Sequence, residues 1–117
     1  MALEFTVAIL ADHKGHKVPR AVGDEYVVDA LVDVGSIVAA GSVIPAADFG
    51  LSTITCATIT GYDNANGLLP QIECSATGDY ESLTSIALMF TSLDGTNDSL
   101  ADDGNGGSVR LRVWGNL

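Results

Sequence analysis

Hydrophobic and polar residues alternate with a period of two along much of this chain, the period of a β-strand with one wet face. In Leu3–Ala11, Phe5, Val7 and Ile9 fall on one side and Thr6, Ala8 and Leu10 on the other. In Tyr26–Val34, Val28, Ala30, Val32 and Val34 alternate with Val27, Asp29, Leu31 and Asp33, so both aspartates share a face, read as the wet one. Ser52–Thr60 alternates Ser and Thr with Ile, Cys and Ala. Ser108–Trp114 sets Val109, Leu111 and Val113 inward against Arg110, Arg112 and Trp114 outward. Thr84–Thr91 is almost wholly apolar and reads as a central strand covered on both faces. Leu69–Thr77 contains Pro70, which has no backbone N–H to give to a ladder and so predicts a sheet edge or a strand start.

Glycines punctuate these segments. Pro45–Gly50 predicts a single helical turn, with proline in its first position and Gly50 as its left-handed terminator. Asp63–Gly67 ends in Asn-Gly, a strong hairpin signal, and predicts that the strands on either side pair with each other. Six short strands at regular spacing predict an all-β fold, a small β-sandwich or jelly-roll-like barrel. Residues 1–20 read as an extended N-terminal arm and residues 21–117 as one β domain.

Composition narrows the possible partners. A chain of 117 residues is one domain's length, and 47% hydrophobic residues argue against disorder. Fifteen acidic residues face five basic ones, a net charge of −10, which argues against nucleic acid and against anionic membranes. No apolar run reaches the length of a membrane-spanning helix, and Glu4 stands where a signal peptide wants positive charge, so synthesis in the cytoplasm is expected. The charge is uneven. Lys14, Lys17 and Arg20 cluster in His13–Arg20, and no Lys or Arg occurs from Ala21 to Val109.

Candidate chemistry is sparse, and no enzyme, cofactor or metal site is expected. His13 and His16 have a spacing that two metal ligands could use, but a solvated basic loop explains them more simply. Asp94, Asp98, Asp102 and Asp103 offer oxygens of the kind calcium prefers, without the spacing of an EF-hand. A solvated connection between strands is the simpler reading. Asp29 and Asp33 on one face read as solubility rather than as a glycosidase pair. Cys56 and Cys74 are expected to be small buried side chains in a reducing compartment, with a disulfide between neighbouring strands as the alternative. Trp114, with Tyr62 or Tyr80, could form a carbohydrate-stacking platform, but Trp114 fits an interface residue better.

From about Asp24 onward the chain resembles small virion structural proteins of tailed bacteriophages, of the capsid decoration or cement type. The resemblance lies in Tyr26–Val34, in Ile44-Pro45-Ala46-Ala47-Asp48-Phe49-Gly50-Leu51, in Ser52–Ile59 and in the closing Ser108–Gly115. It implies an all-β protein, often trimeric, that sits on the outer capsid surface and clamps neighbouring major capsid protein subunits, with no catalytic residues. A tail, neck or fibre-associated component and a carbohydrate- or host-surface-binding module are the alternatives. His13–Arg20 lies outside the pattern. Its cations Lys14, Lys17 and Arg20, the apolar face of Phe5, Val7 and Ile9, and Trp114 are the expected partner-binding residues. In this reading Leu3–Leu10 would add a strand to a neighbour's exposed sheet edge.

Overall fold

A computed structural model describes residues 5–12, 14–38, 41–63, 67–74, 83–92, 99–100 and 105–117, the pair 99–100 by backbone alone. The strands in chain order are β1 (Phe5–Ile9), β2 (Arg20–Val22), β3 (Glu25–Val34), β4 (Ser42–Pro45), β5 (Thr53–Tyr62), β6 (Leu68–Glu73), β7 (Ser85–Ser92), β8 (Ser99–Leu100) and β9 (Gly107–Asn116). They form two antiparallel sheets that pack as a small all-β sandwich.

The first sheet runs β1-β3-β9-β5, with β2 also on β3. Because β9 occupies one edge of β3, β1 and β2 lie end to end along the other, opposite Ala30–Val34 and Glu25–Val27. The Leu10 N–H still donates to the Asp29 carbonyl of β3, and after it the chain leaves that edge, returning to it at Arg20. The second sheet runs β4-β7-β6, and β8 shares the β4 edge of β7 in the same end-to-end manner.

Alternation builds the core. β3 and β9 send Val28, Val32, Val34, Val109, Leu111 and Val113 inward, where Ile44, Ile86, Leu88 and Phe90 of the second sheet meet them. Each such side chain contributes roughly 1.5–3 kcal/mol on burial. The expected helical turn is a 3-10 turn over Ala46–Phe49 that buries Phe49, with Pro45 capping it from outside rather than opening it. Gly50 ends it at φ 78°, donating its N–H to the Ala47 carbonyl. Gly115 is required for another reason: a Cβ there would collide with the Thr53 carbonyl where β9 passes β5.

Several expectations change. Asn66-Gly67 does not join a paired hairpin, because β5 belongs to the first sheet, paired with β9, and β6 to the second, paired with β7. A turn signal sets a local reversal; which ladder each strand then joins is set by the apolar faces that must meet. Among the described residues of the predicted arm, Phe5–Ile9 do not project either. β1 is laddered to β3 from Phe5↔Val34 to Ile9↔Ala30, and its inward Phe5, Val7 and Ile9 pack on the core. Pro70 does lie on an edge strand, and β7 is the centre of its sheet. Asp94, Asp98, Asp102 and Asp103, His13 and Tyr80 fall outside the described residues.

Candidate docking face

The same alternation that fills the core leaves a second set of side chains on the outer face of the first sheet. β3 presents Val27, Asp29, Leu31 and Asp33 there, β9 presents Ser108, Arg110, Arg112 and Trp114, and β2 presents Arg20 and Val22. Register then decides which of them meet. Asp29 lies directly opposite Arg112, while Arg110 and Arg20 occupy the diagonal positions opposite Leu31 and Val27.

All three arginines of the chain therefore converge on one carboxylate. Arg112 grips it bidentately, donating from Nε to Oδ1 at 2.8 Å and from Nη2 to Oδ2 at 3.1 Å. Arg20 donates from Nη2 to Oδ2 at 3.3 Å, and Arg110 Nη2 stands 3.8 Å from the same oxygen. The Arg112 hydrogen bonds hold the Asp29 carboxyl below its usual value against the opposing effect of burial, and the charges of Arg112, Arg110 and Arg20 add to the lowering. The Asp29 side chain is only 9% exposed, whereas Arg20, Arg110 and Arg112 are 34%, 46% and 42% exposed. Asp29 thus neutralises one of three cations and leaves most of their N–H donors turned to the outside. On a chain of net charge −10, the three guanidinium groups cluster around Asp29, with Asp33 and Glu25 at the margins of the same face.

Trp114 borders the patch, half-buried, two positions along β9 from Arg112 and directly opposite Val27 and Cys56. Glu25 bounds it on another side and accepts a hydrogen bond from Thr55 Oγ1 at 3.0 Å. Val22, 54% exposed, adds an apolar rim.

The structure separates the expected partner-binding residues. Arg20 and Trp114 lie on this face. Lys14 and Lys17 are exposed on the 11–19 excursion, whose tip is organised by Asp12: its Oδ1 accepts from the N–H groups of Lys14 and His16. Phe5, Val7 and Ile9 point the other way, into the protein's own core. Asp29, expected in water, is the hub of an ion cluster. Arg110 and Arg112 carry the patch but were not among the expected binding residues, because Arg112 is 83 positions from Asp29 and only the β3–β9 register joins them. Trp114 and Tyr62 form no platform: Tyr62 turns inward against Phe90, ring centroids 5.9 Å apart, and its hydroxyl donates to the Gly106 carbonyl. Cys56 is exposed rather than buried, since the bulge in β5 before it turns its side chain outward; Cys74 is half-buried.

Fold and face together define a small β-sandwich with an arginine-rich outer sheet surface. No family model, no curated protein and no solved structure matches the chain.

Proposed function

We propose that this chain is a virion structural protein that decorates the capsid of a tailed bacteriophage, on its outer surface, bridging neighbouring major capsid protein subunits through the outer face of the first sheet. The observation that carries the proposal is the Arg20–Arg110–Arg112 patch beside Trp114: on so acidic a chain, it is the surface a partner's carboxylates would select. The resemblance of Tyr26–Val34, Ile44–Leu51 and Ser108–Gly115 to cement proteins supports the same reading. The docking element is now a preformed sheet face in place of an N-terminal arm. A trimer belongs to the proposal, with contacts that would cover Val43 and Leu69, which are exposed on the edge strands of the second sheet.

Binding to purified undecorated capsids tests this. Arg110→Glu, at the patch member farthest from Asp29, should keep the wild-type melting temperature and lose at least tenfold in capsid affinity. Wild-type binding should weaken as salt rises. Unchanged affinity in the variant would remove the face from the interface. Copy number in purified virions places the protein: hundreds per particle fit the capsid, a few fit a tail, neck or fibre, and none ends the virion reading.

A further inference from the structure

The excursion between β1 and β2 has no role in that docking proposal, yet it holds both lysines of the chain. Lys and Arg together number five, so a peptidase that cuts after them meets five candidate bonds. Such a peptidase seats the basic side chain against a carboxylate in its specificity pocket and lays the flanking residues out as an extended strand. A bond is open to it only where the backbone is exposed and outside any ladder. Arg110 and Arg112 lie in β9, which is laddered to β3 on one side and to β5 on the other. Arg20 opens β2 opposite Val27, and Asp29 holds its guanidinium.

Lys14 and Lys17 remain, both exposed, and the fold treats them differently. The Lys14–Gly15 bond is closed inside a turn. Asp12 Oδ1 accepts from the N–H groups of Lys14 and His16 at 2.8 and 2.9 Å. The Gly15 N–H donates to the Asp12 carbonyl, and the Asp12 N–H to the His16 carbonyl. Gly15 sits at φ 86°, a left-handed conformation foreign to an extended substrate. The Lys17–Val18 bond lies just past this turn. Among the described residues no hydrogen bond holds the backbone of Lys17 or Val18, and Val18 is 59% exposed. Pro19 then settles beside Gly50, where a Cβ on the glycine would stand 3.3 Å from the proline ring. One bond is thus presented between two fixed points. A cut there also spares every ladder. Upstream, Phe5–Ile9 stay paired with Ala30–Val34 and packed on the core, and Leu10 stays bonded to Asp29. Downstream, β2 stays on β3.

We propose that Lys17–Val18 is a processing site for a trypsin-like endopeptidase, and that the cut protein stays assembled, residues 1–17 held on residues 18–117 through β1. Water adds across the peptide bond, so Lys17 gains a carboxylate and Val18 an ammonium group, and no other bond changes. The protein's own first strand becomes a separate peptide held without a covalent link.

The full-length protein exposed to a trace of trypsin in native buffer, followed by intact mass, tests this. The first cut should yield residues 1–17 and 18–117, with masses that sum to the chain plus one water. The two pieces should elute together in gel filtration and separate in urea. Lys17→Gln, which removes the charge the peptidase selects, should slow the first cut by about tenfold or more. Lys14→Gln should leave it unchanged, and both variants should keep the wild-type melting temperature. Asp12→Ala, which opens the turn, should add a cut after Lys14. A first cut at any other Lys or Arg, full resistance, or separation of the pieces in native buffer would overturn the proposal.

Discussion

At Asp29 one carboxylate answers three guanidinium groups, and that imbalance sets how the protein responds to acid. Its pKa is lowered in the folded state from the ordinary 3.8, so the folded protein holds this proton less tightly than the unfolded chain does. The resulting stability is fully present above that ordinary value and is lost as pH falls through the lower, folded one. Asp29→Asn should lower the unfolding free energy by about 2 kcal/mol at neutral pH, since it leaves three clustered cations without their counter-ion. In urea titrations the gap between wild type and variant should shrink as pH falls below the ordinary value of 3.8; a gap independent of pH would contradict the account. Ser42 is the opposite case. It faces inward on β4, 1% exposed, and its hydroxyl has no hydrogen-bond partner among the described residues. Ser42→Ala should therefore be neutral or stabilising by up to about 1 kcal/mol in the same titration, and a clear loss would show that the hydroxyl is satisfied after all.

Elements were legible in the sequence wherever alternation ran long enough. β3, β5 and β9 follow from their alternation, β7 from its continuous apolar run, and Pro45–Gly50 announces its turn. β2, β4 and β8 span three, four and two residues, too short for a period of two to show. Pairing was not legible, because alternation names a strand's wet and dry faces and is silent about its neighbour. That gap hid the arginine patch, though Asp29, Arg110 and Arg112 were each read as outward, and it made β1 look like an arm. With β1 in the sheet, removal of residues 1–9 uncovers the edge of β3 and the inward row of Phe5, Val7 and Ile9. Such a truncation should unfold at markedly lower urea than the full chain, by several kcal/mol, rather than persist as a folded body that merely fails to dock. An unchanged midpoint would restore the arm.

For the molecule as a whole, charge and fold divide the surface. Acidic residues outnumber basic ones three to one, yet all three arginines are drawn to one face of one sheet. The end-to-end arrangement of β1 and β2 along β3 has a different consequence. Both ends of the 11–19 excursion are anchored on one edge, and Lys14, Lys17 and Val18 at its tip are exposed. Lengthening such a loop costs little closure entropy, about 0.6 kcal/mol per doubling, and breaks no ladder. The protein thereby has a built-in display platform: a foreign peptide spliced beside Gly15 would ride outside the sandwich, in as many copies as the protein itself.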